Sequence, residues 1–338
     1  MASERPASAE RSASGEDSLI ARYFRPLATD PGAFGLGDDA AVLKAHGDDI
    51  VVTTDAIVEG VHFLPDDPPD TIARKALRVN LSDLAAKGAA PAGFVLTLAL
   101  RKAEEAWLKP FAHALGWDAI QFGCPLLGGD TVSTPGPLMI SITAFGRVAA
   151  GRMVHRSGAR PGDRVVVTGT IGDAALGLDI LKGGAAAAAL ADDAAARQML
   201  IGRYRTPQPR NALAAAVREF AHAAMDVSDG LAGDLAKLCE ASGVSAVIDA
   251  QSIPLSAAAA SLRARGTVGI EAIVSGGDDY EILCAIPDDH ADVFAQAARV
   301  AGVCVTTIGT IIAGTSAPTL LDAQGDQIIL PRLSYSHF

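Results

Sequence analysis

Cysteine is scarce in this chain: Cys124, Cys239, Cys284 and Cys304 are scattered over 338 residues without one Cys-x-x-Cys pair. Such spacing offers no zinc-type thiolate cluster and fits reduced, mostly buried thiols in a cytoplasmic protein. Positive charge is in deficit as well. Lys and Arg number 28 against 39 Asp and Glu, a net charge of −11. Nucleic acid is therefore not an expected partner, because binding it needs clustered cations to neutralise phosphates. Small anionic substrates stay open, since bound cations invert the sign of an acidic pocket. No run of about 18 apolar residues is present, so no membrane-spanning helix and no membrane partner are expected. Residues 1–15 hold Ala, Ser, Glu and Arg without an apolar stretch and read as a disordered tail, not a signal peptide. A Gly-x-x-x-x-Gly-Lys-Ser/Thr loop is missing too, which excludes the ordinary P-loop kinase.

The chain is long enough for two domains, and 49% hydrophobic against 20% charged residues supports a sizeable core. Ile50 to Thr54, Phe94 to Leu100 and Leu138 to Val148 read as strands. Thr71 to Lys87 has helical spacing and is stopped by Gly88, and Glu104 to Leu115 is a second helix. Arg160-Pro161-Gly162-Asp163 is a turn, with a domain boundary expected near residue 155. Beyond it, Arg164 to Thr168, Ser245 to Ile248 and Ile282 to Ile286 read as strands. A helix is expected after Gly172-Asp173, another over Leu231 to Ala241, and a surface helix or loop over Ala185 to Ala196. The fold class is α/β, with domains 16–154 and 155–338.

Carboxylates recur beside small residues: Gly37-Asp38-Asp39-Ala40, Thr53-Thr54-Asp55, Asn80-Leu-Ser-Asp83, Gly128-Gly129-Asp130-Thr131, Asp226-Val-Ser228-Asp229-Gly230 and Gly276-Gly-Asp278-Asp-Tyr-Glu281. Any one is ordinary turn chemistry. As a set they suggest more. Asp55 and Asp130 follow apolar runs, where open α/β sheets place ligands. Two carboxylates about 4 Å apart repel by roughly 4 kcal/mol at an effective dielectric of 20, so a converging cluster calls for counter-cations. Oxygen-only ligands select a hard ion such as Mg²⁺, which shares its sphere with substrate phosphates. Gly35-Leu-Gly37-Asp-Asp-Ala40 formally fits a dinucleotide-binding loop. It follows a turn, however, and puts two acids where a pyrophosphate needs bare N–H groups.

In order and spacing these motifs resemble the thiamine-monophosphate kinase family. That family belongs to the PurM-like superfamily, with aminoimidazole ribonucleotide synthetase and selenophosphate synthetase. The stretches carrying the resemblance are Thr54-Asp55-x-x-Val58-x-Gly60-x-His62-Phe63, Asn80-Leu-Ser-Asp-Leu-Ala-Ala-Lys-Gly88 and Ser275-Gly-Gly-Asp-Asp-Tyr-Glu281. It runs from about Glu16 to Phe338. It implies a two-domain PurM-like fold whose N-terminal domain forms a homodimer, with Ile50 to Thr54 and Phe94 to Leu100 as interface elements. It further implies ATP-dependent phosphorylation of thiamine monophosphate to thiamine diphosphate, by direct transfer without a phospho-enzyme.

By the family's pattern Asp39, Thr53, Thr54, Asp55, Asp83, Asp130, Asp226 and Asp229 would hold Mg²⁺, with Asp55, Asp83 and Asp130 positioning the phosphates. Gly129, Asp130, Arg156 and Ser228 would meet ATP, and Phe122 (or Gln121) stands where relatives carry an adenine-side Tyr. His62, Asp278 and Tyr335 would line the substrate pocket, where a cationic thiazolium suits a carboxylate and a ring face. Asp278 stands where a Glu is expected, a shorter arm. Bland alternatives exist: His62 between Val61 and Phe63 also reads as a packed core histidine, and Arg156 as a surface charge. Selenophosphate synthesis or amide activation on the same fold, or a catalytically silent binding protein, are the competing functions.

Overall fold

The computed structural model describes residues 37–38, 41–45 and 47–334. Among these residues the strands form two sheets. The first joins β1 (Ala41–Ala45), β2 (Asp48–Val58), β3 (Ala90–Leu100), β4 (Leu126–Ser133) and β5 (Met139–Ala149) in the order β1-β2-β5-β3-β4. All its neighbours are antiparallel except β3 and β4. Helices α1 (Pro69–Ala86) and α2 (Glu105–Gln121) accompany it. On β2 the inward residues Val51, Thr53 and Ile57 are buried while Thr54 and Ala56 are exposed, the period-two signature of a sheet with one covered face.

The second sheet joins β6 (Arg164–Thr168), β7 (Ala223–Asp226), β8 (Ser245–Asp249), β9 (Ile282–Ile286), β10 (Val305–Ile312), β11 (Thr319–Leu321) and β12 (Gln327–Ile328). Its order is β12-β11-β8-β10-β6-β9-β7, with only β11 and β8 parallel. Around it lie α3 (Asp173–Leu181), α4 (Ala185–Ala189), α5 (Ala194–Arg205), α6 (Ala214–Phe220), α7 (Leu231–Ser242), α8 (Ala257–Ala264), α9 (Ile270–Val274) and α10 (Ala291–Val300).

Helix α1 joins the two halves. Its apolar residues Leu77, Leu81 and Leu84 enter the first core, and Ala85 and Ala86 belong to a second cluster with Val217 and Ile282. Pro69 opens it, where a missing N–H costs nothing. It closes on Gly88, whose φ of +68° lets the Ala89 N–H reach Leu84 O at 2.9 Å; a Cβ there would meet the Arg218 Cβ at 2.7 Å. Arg74 and Arg78 pin it to α2 through the fully buried Asp118, at 2.6 to 2.9 Å.

Two expectations need correction. Asp55 and Asp130 lie inside β2 and β4, not beyond strand ends. Both sheets are mostly antiparallel, so no switch point of a parallel sheet places a ligand. Gly128 to Thr131 is edge strand, not turn, because it pairs in register with Val95 to Leu98. The alanine block, expected as a surface helix or loop, is helix in two pieces, α4 and the start of α5, which is capped by Asp193 accepting from the Ala196 N–H at 2.9 Å. Ile50 to Thr54 and Phe94 to Leu100 lie in β2 and β3, inside the sheet, and β1 and β4 form its edges.

No helix among the described residues is long and apolar enough to cross a membrane. Cys124, Cys239 and Cys284 are buried and unbridged, and Cys304 is exposed. Burial pushes the Cys124 thiol up to about 11 and the Cys284 thiol up to about 12, so neither forms thiolate near neutrality. At about pH 8 a disulfide-exchange reagent should titrate Cys304 rapidly and the other three thiols only after denaturation. A second fast thiol in the native protein would show that one of the cores opens readily.

Candidate functional site

A cavity of about 580 Å³ lies between the two sheets. Asp55, His62 and Val79 line it from the first half of the chain, and Ser228, Asp229, Asp278 and Tyr280 from the second. Thr53, Asp55 and Ile57 alternate on the covered face of β2, which brings Thr53 against α1, where its hydroxyl donates to Asp83 Oδ2. Ser82, next on α1, lies 3.4 Å from the Tyr280 carbonyl.

The loop after β7 is tied down by one side chain. Asp234, fully buried in the first turn of α7, accepts the Ser228 and Asp229 N–H groups on Oδ2, each at 3.0 Å. Lys237 bridges Asp234 at 3.1 Å and Asp229 at 2.5 Å. Burial pushes the Asp234 carboxyl up to about 6 against the pull of Lys237. Gly230 must be glycine: its φ is +118°, and a Cβ would lie 2.8 Å from the Ser275 backbone.

The facing turn carries strain. Asp278 and Tyr280 have φ of +72° and +50°, a left-handed conformation that non-glycine residues adopt only under constraint. The constraints are explicit. Asp278 N–H donates to Ser228 O and Tyr280 N–H to Val227 O, both at 2.8 Å. Asp279, buried at the start of α3, accepts the Gly172 N–H at 2.7 Å, and burial raises its pKa well above the usual range. Glu281, fully buried, accepts from Thr168 and Arg203 at 2.6 Å and is forked by Arg210. Asp278 pairs with Lys75 at 3.0 Å.

The charges converge on Tyr280. Burial first, then the nearby Asp278, Asp55, Asp226 and Asp229, raise its phenol well above the ordinary value. Four carboxylates from both halves of the chain therefore act on one point. The donors are all hard oxygens, which fits Mg²⁺ and not zinc. Among the described residues no three His, Cys, Asp or Glu form a ligand group of their own. A cation here would complete its sphere with water and phosphate oxygens, the habit of Mg²⁺.

Thr53, Asp55, Asp83, Asp226, Ser228, Asp229, His62 and Asp278 are thus brought to the cleft or its border. Others are not. The register pairs Asp55 with Ile142, Ile142 with Leu96, and Leu96 with Gly129. Asp55 and Gly129 are three strand spacings apart, about 14 Å. Asp130, one residue on, shares the outer, exposed face of the sheet with Thr54. Phe122 ends α2 and packs against the first core, 5.5 Å below the Arg78 guanidinium. Arg156 donates its N–H to Asp38 at 2.9 Å. Asp38 also meets the buried Lys87 at 2.7 Å. Although burial raises its pKa, His155, Lys87 and Arg156 together hold it well below the carboxylate range. Asp39 and Tyr335 lie outside the described residues. His62 Nδ1 accepts the Val58 N–H at 3.1 Å, so a neutral ring carries its proton on Nε2.

Residues that sequence reasoning missed include Lys75, Arg203, Arg210, Asp234 and Lys237. A signal existed for two of them. Lys75 interrupts the apolar stripe Ile72, Ala76, Val79 of α1, and Asp234 stands in a helical first turn directly after Asp229-Gly230.

The AIR synthase related protein N-terminal domain matches residues 37–148, and the AIR synthase related protein C-terminal domain matches residues 160–319. The chain is 43% identical to thiamine-monophosphate kinase of Caulobacter vibrioides over 94% of this chain and 89% of that one. It resembles the crystal structure of thiamine-monophosphate kinase from Stenotrophomonas maltophilia K279a, with a TM-score of 0.76 and 39% identity over 93% of this chain and 98% of that one. It also resembles AaThiL complexed with AMPPCP and TMP, with a TM-score of 0.77 and 29% identity over 91% and 97%.

Arg210→Met should lower stability by about 3 kcal/mol, the cost of stripping a buried carboxylate of a partner, as read from urea denaturation. An unchanged midpoint would show that Arg203 and Thr168 suffice for Glu281.

Proposed function

We propose a function for a chain that belongs to the AIR synthase related family and, within it, to the thiamine-monophosphate kinases: ATP-dependent phosphorylation of thiamine monophosphate to thiamine diphosphate. An oxygen of the acceptor phosphate bonds to the γ-phosphorus of ATP, the bond to the β,γ-bridging oxygen breaks, and ADP leaves. The acceptor phosphate is already ionised near neutrality, its second pKa being about 6, so the step needs no general base. What remains is positioning and charge neutralisation.

The observation that carries this reading is the convergence of Asp55, Asp229 and Asp278 on one cleft between the two sheets, with Asp226 close enough to add to the field at Tyr280. Mg²⁺, when bound, neutralises and orients phosphate oxygens. Thr53, Asp55, Asp83, Asp226 and Asp229 would hold it at the cleft; Thr54 and Asp130, on the open face of the sheet, and Asp39 enter the set by family pattern alone. Ser228, Arg156 and Gly129 are assigned to ATP, with Phe122 toward adenine. Ser228 is well suited, since Asp234 fixes its backbone. His62 and Asp278 are assigned to the substrate, together with Tyr335. Ile57, Val61, Val79 and Val268 give the rings an apolar wall, and the Asp278 carboxylate faces the cationic thiazolium.

The active form is a homodimer in this reading. Strand β4 is an exposed edge carrying Leu126, Leu127 and Val132, 52%, 61% and 42% exposed. A second copy would cover it. Reduced cysteines agree with the cytoplasm.

Purified protein with ATP, Mg²⁺ and thiamine monophosphate should yield thiamine diphosphate by chromatography, and unphosphorylated thiamine should be a poor acceptor. Absence of the diphosphate at every Mg²⁺ concentration rules the activity out; equal rates with thiamine remove the role of the acceptor phosphate. Asp55→Asn should lower kcat by at least about 100-fold, as expected on loss of a charged group that positions the transferring phosphoryl. Its melting temperature without metal should stay level or rise, because like-charge repulsion is relieved. Full activity in this variant would take Asp55 out of the phosphate site.

A further inference from the structure

Lys75 is 1% exposed, yet among the described residues its carboxylate partner, Asp278, comes from the other half of the chain. Its ammonium donates to the His62 carbonyl at 2.8 Å and to Asp278 Oδ2 at 3.0 Å, and lies 3.9 Å from the centroid of the Tyr204 ring. The Tyr204 hydroxyl approaches the same His62 carbonyl at 3.3 Å. The partners come from three elements: the turn after β2, the strained turn before β9 and the end of α5. His62 and Asp278 both line the cleft, one from each half of the chain.

The other carboxylates of the strained turn are anchored within the second half. Asp279 is held at α3, and Glu281 by Thr168, Arg203 and Arg210. Lys75 instead touches both turns with a single atom. Such an ion pair is a poor source of stability, since desolvating the ammonium consumes most of what the pairing returns. The apolar stem of a methionine would fill the same space. What the ammonium adds is geometry: three tetrahedral N–H directions set the spacing of the two turns. The pairing also fixes where the Asp278 carboxylate, the group assigned to the acceptor's cationic ring, stands in the cleft.

We propose that Lys75 is a positioning residue of the acceptor pocket, acting through Asp278 and the His62 carbonyl to fix the two turns against one another where they line the cleft that takes the acceptor's rings. This rests on the reading of the cleft as the thiamine monophosphate site. A general brace would disturb both substrates alike, whereas a positioning residue acts on the acceptor.

The test compares wild type, Lys75→Met, Asp278→Asn and the double variant, with KM measured separately for both substrates. Lys75→Met should raise KM for thiamine monophosphate about tenfold, the scale of a lost hydrogen bond to a charged group, and leave KM for ATP within about twofold. Placed on Asp278→Asn, it should add less than about twofold, because the two residues act as one unit. If Lys75→Met does not fold, Lys75→Gln, which keeps a donor for the His62 carbonyl, should show the same split. Parallel rises in both KM values, multiplicative effects in the double variant, or failure of both Lys75 variants to fold would each overturn the assignment. Wild-type protein that turns over thiamine monophosphate, with Lys75→Met unchanged, overturns this inference alone. Wild-type protein without turnover overturns the functional reading and the inference with it.

Discussion

Helix α1 and the residue that caps its C-terminus carry two lysines into the interior, Lys75 and Lys87, and the counter-charge of each lies outside the helix: Asp278 for one, Asp38 for the other. A buried ammonium without a partner is far more costly than most contacts can offset, so these pairings constrain everything around them. Lys75 ties α1 to the strained turn before β9. Lys87 ties its other end to β7, through the Ala224 carbonyl at 3.0 Å. The two sheets are therefore held against one helix at two points, and the cleft is what remains between them.

The same electrostatic logic runs through the cleft. Carboxylates that converge must be separated, protonated or neutralised. Asp229 and Asp234 share Lys237, Asp278 has Lys75, and Glu281 has two guanidiniums. The built-in cations hold the framework, and Asp55 and Asp226 add to the negative field at Tyr280. A phosphoryl-transfer site needs such a field to recruit hard cations, and rigid walls so that little reorganises during the reaction.

Much of the fold was legible in the sequence. The β-branched run Arg164 to Thr168 and the apolar run Ile282 to Ile286 became strands with those same limits, and Gly88 closed α1 as expected. Strand β4 was hidden because Gly128, Gly129 and Asp130 have turn composition. Only pairing with β3, a non-local contact, makes them a strand. The partners Lys75, Arg203 and Arg210 were hidden for the same reason: each meets its carboxylate across at least 70 residues of chain.

The sequence alone determined the oxygen-only, acid-rich character of the site and, through the order of its motifs, the family, because both are properties of residue type and spacing. Which acids share the cleft was decided by tertiary structure. Register puts Asp55 on the covered face of the sheet and Asp130 on the open one, and Lys87 commits Asp38 to an ion pair. Side-chain direction on a sheet reverses with every residue, and buried charge is neutralised by whatever the fold brings within reach. Neither can be read until the strands are paired.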